Sequence, residues 1–183
     1  MFNIDIVFDD VSIMSVEKED IIKIEKWINS QQVFNIDASQ DYGIMEFYER
    51  YLEYYLSEGE YFLKVMRGSE LIGIIKGRIE FKNPNEVWIM CYLIEFRLYS
   101  LEISNTIINE FLKHLYKNYG IRNFYTFVSA DNQAMLKLWK NNKFEISRVT
   151  SNFLEINKQD KDILILKKEF DINKIKSNNA YIY

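Results

Sequence analysis

Hydrophobic positions along the chain change their period several times, and each change marks an element. The clearest change lies within Val87–Ile108. Val87 to Ile94 is a nearly unbroken apolar run, too short to span a membrane and rich in residues that suit a buried strand. The chain then turns through Glu95 to Ser100 and becomes helix-periodic, with Ile103, Ile107, Ile108, Phe111, Leu112 and Leu115 on one face. Gly120 stands where a C′ glycine would end that helix. A second strand-then-helix unit follows, with Asn123–Ser129 predicting the strand and Gln133–Lys140 the helix. A strand that feeds a tight turn and a helix N-terminus suits anion binding, because the first helical N–H groups lack intrahelical partners.

The flanking stretches predict the rest. Ile4 to Val16 reads as a strand interrupted by Asp9-Asp10. Glu17 to Asn29 predicts a helix whose apolar side is Ile21, Ile22, Ile24 and Trp27, with Ser30 near its stop. Tyr42 to Ser57 predicts a second helix carrying Ile44, Phe47, Tyr48, Tyr51, Leu52 and Tyr55. Tyr61–Met66 and Leu71–Phe81 predict a hairpin turned at Arg67–Glu70, and Lys82–Asn85 turns the chain into the central strand. Phe144–Ile156 and Asp162–Phe170 predict a closing antiparallel pair, while Ser177–Tyr183 carries no readable pattern.

Composition narrows the function. With 183 residues, 48% hydrophobic and 27% charged, the chain suits one domain with a substantial core. A net charge of −4 disfavours a phosphate-binding basic surface, hence nucleic acid, and favours a cationic amine partner. The single cysteine, Cys91, excludes an intrachain disulfide framework and cysteine-built zinc clusters, so no metal is expected. Met1–Asp5 lacks the basic start of a signal peptide, and no stretch has membrane-spanning length, which makes the cytoplasm the default. One proline and six glycines leave no room for an interdomain linker.

Taken together, Val87–Ile108 and Phe127–Glu145 resemble the GNAT acetyltransferases, the acyl-CoA N-acyltransferase family. In that family a strand precedes a pyrophosphate loop patterned Q/R-x-x-G-x-G/A. Tyr92-Leu93-Ile94-Glu95 and Ile103–Ile108 lie on this stretch without a gap. The later stretch is similar to the family's V-x-x-x-N-x-x-A-x-x-L-Y-x-x-x-G-F-E through Val128, Asn132, Ala134, Leu138, Phe144 and Glu145. The resemblance covers residues 12–170 of a single domain over 1–183, with 171–183 as a C-terminal tail. It implies an α/β (α+β) fold, a mixed and mostly antiparallel central sheet flanked by helices. It further implies acetyl-CoA-dependent transfer of an acetyl group to a primary amine of a small molecule or peptide. A homodimer through the closing hairpin is common in such folds.

The resemblance also assigns residues. Backbone groups from Cys91 to Ile94, including Tyr92 and Leu93, would meet the acetyl and pantetheine groups. Ser100, Leu101, Glu102, Ile103, Ser104 and Asn105 would form the pyrophosphate loop and helix start, and Asn132 and Trp139 would border the cofactor. Glu95 stands where some aminoglycoside acetyltransferase-like members carry an acid and is the expected base, against the alternative of a simply solvated acid; Glu80 and Glu86 are the fallback. The second helix would border the acceptor cleft. There its tyrosines either hold an ammonium by cation–π attraction of about 0.5–2 kcal/mol or pack as an ordinary amphipathic face.

Several positions depart from the family pattern. Its loop reads Tyr99-Ser100-Leu101-Glu102-Ile103-Ser104, so Glu102 and Ser104 fill both glycine-type positions. A carboxylate in the first turn satisfies the helix's positive end and repels a diphosphate. Ser100 as N-cap with Glu102 makes a helix start that needs no ligand. Trp139 replaces the family's tyrosine acid, and an indole N–H donates a hydrogen bond without supplying a proton. Lys143 replaces the glycine before Phe144, a change read as structural. Asn132 is retained, though asparagine at a strand-to-helix turn caps helices unaided. Cys91 reads as a buried strand residue and His114 as surface or half-buried, neither as a catalytic group. The departures sustain an alternative function, a degenerate GNAT-fold binding module without acetyltransferase activity.

Overall fold

The computed structural model of the protein describes residues 4–31, 44–82, 85–98, 102–156 and 159–170. The interrupted first strand is a hairpin of β1 (Asp5–Phe8) and β2 (Val11–Ser15), reversed at Asp9-Asp10. Asp9 takes a left-handed φ of 48°, which asparagine and aspartate tolerate better than most residues. The first predicted helix splits into a 3-10 turn, Lys18–Asp20, and α1 (Ile21–Gln31). A reciprocal capping box between Glu17 and Asp20 closes the turn. α1 buries Ile21, Ile24 and Ile28, whereas Ile22 is 49% exposed. That corrects the expected apolar side: a 3.6-residue period runs the stripe on to Ile28 and turns Ile22 away.

α2 (Ile44–Leu56) follows; Tyr42 and Gly43 of its predicted span lie outside the described residues. Its inner line is Tyr48, Tyr51 and Tyr54, while Leu52 and Tyr55 are exposed. β3 (Glu60–Arg67) and β4 (Glu70–Glu80) form the expected hairpin. Then come β5 (Glu86–Ile94), α3 (Glu102–Tyr119), β6 (Asn123–Ser129), α4 (Gln133–Asn141), β7 (Glu145–Ile156) and β8 (Gln159–Glu169). Gly120 ends α3 at φ 65°, its N–H bonding the Tyr116 carbonyl at 3.0 Å.

The strands form one sheet in the order β1-β2-β3-β4-β5-β6-β8-β7. Every neighbouring pair is antiparallel except β5–β6. The fold is thus the mixed, mostly antiparallel sheet flanked by helices that the sequence implies. α3 and α4 cover one face, where Ile107, Ile108, Phe111, Leu112 and Leu115 are at most 1% exposed. Burying a large apolar side chain contributes roughly 1.5–3 kcal/mol, so this stripe alone anchors α3. α1 and α2 cover the opposite face over Phe62, Leu71 and Ile74.

Candidate active site

The one parallel pair is also where the sheet opens. The β5–β6 ladder runs from Glu86↔Asn123 to Ile89↔Thr126 and ends there, while β5 continues to Ile94 and β6 to Ser129. A bulge sits at this point: Lys76 pairs with Cys91 and Gly77 with Ile89, leaving Met90 extra on β5. A bulge bends its strand and raises its twist, which swings β5 off β6. The base of the fork is locked. Trp88 and Tyr125 stack at 4.9 Å and 17°, and Thr126 Oγ1 donates to the Ile89 carbonyl at 3.0 Å. Tyr61 Oη donates to the Trp88 carbonyl at 3.1 Å, reaching it across Gly77, where any Cβ would collide with both groups.

A groove of about 520 Å³ opens at the fork. Met90 and Phe127, each the first residue past its end of the ladder, meet there with Trp88, Ile163 and Ile165 to make an apolar floor. Arg78, Glu80 and Lys82 form its charged side, and Thr150 closes it. Ile75 and Ile79 pack with α3 and α4, so strand alternation puts Arg78 and Glu80 on the other face of the sheet. The Glu80 carboxylate accepts from both Arg78 and Lys82, and this pairing holds it below the usual carboxylate range. Lys82 also lies 3.5 Å from Glu86, whose other neighbour is the Tyr125 hydroxyl at 3.5 Å.

Across the sheet, three of the residues expected near the cofactor, Tyr92, Ser104 and Trp139, pack into the core. Tyr92 Oη donates to the Ser104 carbonyl at 2.9 Å and lies 3.1 Å from Ser104 Oγ, which ties β5 to the first turn of α3. Ser104 is fully buried, so the glycine-type position holds a small residue whose hydroxyl is used. Trp139 meets Tyr92 edge-on at 5.6 Å and Phe144 at 4.8 Å. It is 1% exposed, and its Nε1 has no acceptor among the described residues. A buried donor without an acceptor costs roughly 1–3 kcal/mol, which the packing of the indole on Tyr92 and Phe144 must offset.

The remaining assigned residues divide. Leu93 packs toward α1 and α2, Ile94 is fully buried, and Ile103 is half-buried against the α3 side. Glu102 is exposed in the first turn of α3, and Ser100 and Leu101 lie outside the described residues. Asn132 caps α4, its side chain accepting from Met135 N at 3.1 Å. Asn105 Oδ1 accepts from Asn142 Nδ2 at 2.8 Å, and Asn109 Nδ2 donates to Asn142 Oδ1 at 3.0 Å. This amide network stitches α3 to the end of α4. Sequence reasoning missed Asn109 and Asn142; the run of amides Asn141-Asn142 before a helix stop was the available signal. Next to it Lys143 adopts φ 65°, the left-handed backbone that explains glycine in the family pattern.

Glu95 does not line the fork groove. It lies just past β5, its carboxylate 3.4 Å from Arg97, in a separate cavity of about 340 Å³ with Lys23, Trp27, Glu70 and Leu71. Cys91 is half-buried, and burial pushes its thiol up, away from nucleophile chemistry. Lys76 beside it rests over the rings of Tyr54 and Phe62 at 4.9 and 4.8 Å, its ammonium pulled down by desolvation. The tyrosine helix thus lends one ring, Tyr54, to a cation–π contact with the protein's own lysine. His114 is half-buried, its Nδ1 3.1 Å from Asn118 Nδ2. Among the described residues, no group of three or more His, Cys, Asp or Glu gathers as a metal site, and no helix is long and apolar enough to cross a membrane.

Comparison with known proteins bears on the family and the fold. Residues 13–165 match the family model described as an acetyltransferase (GNAT) domain. No curated protein matches the chain. Among solved structures the chain is similar to the Salmonella typhimurium acetyl transferase that modifies the N-terminal serine of ribosomal protein L7/L12. That match has TM-score 0.80 and 14% identity over 90% of this chain and 97% of the other. It is also similar to the spermidine N-acetyltransferase of Vibrio cholerae, solved with CoA and spermine, at TM-score 0.75 and 16% identity over 87% and 95%. A third is the ribosomal-protein-S5-alanine acetyltransferase of Vibrio fischeri, at 0.76 and 12% over 93% and 98%. At these identities the likeness is one of fold.

Proposed function

The chain belongs to the GNAT acetyltransferase family, and from that premise we propose that it transfers the acetyl group of acetyl-CoA to a primary amine of a small molecule or peptide. The observation that carries the reading is the fork: a strand edge that runs on past its ladder, with a groove opening at the same residues. Acetyl-CoA, when bound, supplies the activated thioester. Backbone of β5 beyond Ile89 would lie along its arm, with Trp139 packed behind that strand on Tyr92. Holding the two substrates together supplies most of the rate, because orientation alone is worth several kcal/mol. The neutral amine would form the new N–C bond as the C–S bond breaks, and because an indole has no proton to give, the departing thiolate would take its proton from solvent.

Two carboxylates compete to deprotonate the amine. Glu80 shares the groove with it but is committed to Arg78 and Lys82. Glu95, the base expected from the family pattern, has one well-exposed partner in Arg97 but lies outside that groove. A base must reach the proton directly or through one water. Glu80→Gln and Glu95→Gln therefore separate them: the base loses roughly 10²–10⁴-fold in kcat, and the other variant stays near the parent.

Glu102 in the first turn of α3 favours the second reading, a binding module that does not take CoA. Calorimetric titration of acetyl-CoA into the native protein and a Glu102→Gly variant decides between the two. Micromolar binding by the native protein supports the enzyme. Binding by the variant alone means that the carboxylate closes an otherwise intact site, and silence from both overturns acetyl transfer. The same reading puts the protein in the cytoplasm, with a homodimer through β7 and β8 to be checked by sedimentation.

A further inference from the structure

We infer that the groove at the fork takes an amine carried on an apolar body with a single positive charge, and turns away polyamines. The inference rests on the proposed transfer to an amine and adds its substrate class. Three observations carry it. First, the floor is apolar and open: Met90 is 45% and Phe127 39% exposed in the middle of the sheet, beside Ile163 and Ile165. Such a surface gains by covering an apolar group. Second, among the described residues the groove's charged side has no uncommitted carboxylate. Its lining holds two cations and one acid, and Glu80 is paired with both cations. A second or third ammonium would meet the like charges of Arg78 and Lys82 with no uncommitted carboxylate among the described residues to pair it. Third, Arg78 and Lys82 side chains are 52% and 58% exposed, which leaves N–H groups to donate to a carbonyl next to the amine. The volume, about 520 Å³, is that of a small-molecule site.

The amine's nitrogen enters at the fork, between Met90 and Phe127, and its apolar body lies along Ile163 and Ile165. Phenylalanine amide and spermidine are the two probes. Each is titrated into the protein without acetyl-CoA, followed by tryptophan fluorescence because Trp88 lines the groove, and each is then assayed as an acceptor with acetyl-CoA. The expected result is binding of phenylalanine amide and at least tenfold higher kcat/KM for it than for spermidine. Phe127→Glu places a carboxylate on the floor and should reverse that order; Met90→Glu, at an equally exposed position, serves if the first variant does not fold. Preference for spermidine by the parent, or an order that neither variant changes, overturns the substrate class while acetyl transfer stands. Variant-sensitive binding of phenylalanine amide with no transfer to either probe supports the groove's selectivity and overturns the proposed function. Failure of both binding and transfer overturns both.

Discussion

Gly77→Ala tests whether the fork is held open by close backbone packing. Gly77 has ordinary backbone angles; its requirement is space. An added Cβ would overlap the Trp88 carbonyl oxygen and Tyr61 Oη, and lie 2.7 Å from Tyr61 Cζ. A carbonyl in a ladder yields little, so either β5 or the buried Tyr61 ring must move. Overpacking of this kind costs about 1–3 kcal/mol. Driving Tyr61 Oη off the Trp88 carbonyl strands a fully buried hydroxyl, about 1–3 kcal/mol more. The sum, about 2–6 kcal/mol, corresponds to a Tm fall of at least roughly 4 °C in a chain of this size. Calorimetric melting of the parent, Gly77→Ala, Tyr61→Phe and the double variant measures it. Tyr61→Phe alone should cost about 1 kcal/mol, and the double variant should melt above the additive expectation, because removing Oη removes one of the two collisions. A Gly77→Ala variant melting within 1 °C of the parent would refute the close-packing argument for the fork.

Four further outcomes are expected. Trp139→Phe should leave Tm within about 3 °C, since the lost ring volume is offset by removal of an unsatisfied buried donor, yet weaken acetyl-CoA binding; unchanged binding would make the indole a packing residue only. Glu102→Gln should tighten acetyl-CoA binding by roughly 2–5-fold at low salt, as about 0.5–1 kcal/mol of repulsion at the helix start disappears, and the gain should shrink in high salt. Lys143→Gly should stabilise by about 0.5–1 kcal/mol by relieving a left-handed backbone; a lower Tm would show that the lysine side chain contributes more than the strain. Burial raises Tyr54 to about 12, above its unfolded value near 10, so the protein should lose stability between pH 10 and 12 as the unfolded chain ionises first. Tyr54→Phe should flatten that alkaline loss in pH-dependent urea melts; an unaltered slope would rule Tyr54 out as its source.

Much of this protein was legible along the chain because the signals are local. A period of two or 3.6 in apolar residues, a glycine after α3 and an asparagine before α4 each report one element's own geometry, and β6 is found on its predicted residues. The motif stretches around Tyr92 and Asn132 carried the family for the same reason. Ile22 and Tyr55 show where apolar character alone misleads: both are apolar enough for an inner face, yet the helical stripe that meets the sheet runs through Ile28 and Tyr54 instead.

The site depended on contacts between residues distant in sequence. An extra residue at Met90 turns Met90 and Cys91 to the same face of the sheet, and nothing in Val87–Ile94 announces the bulge, because it is defined by register against β4. Nothing in the sequence announces that Arg78 and Lys82 close on Glu80, or that Asn142 reaches Asn105 across α3 and α4. Trp139 reads as a lost acid until burial leaves its N–H without an acceptor. The sequence by itself therefore determined which elements form and the family they belong to, since those follow from side-chain order along the backbone. The fork, its groove and the charge state of its walls were decided only by the tertiary structure, because they are properties of strand register and of pairs that meet only when the sheet is assembled.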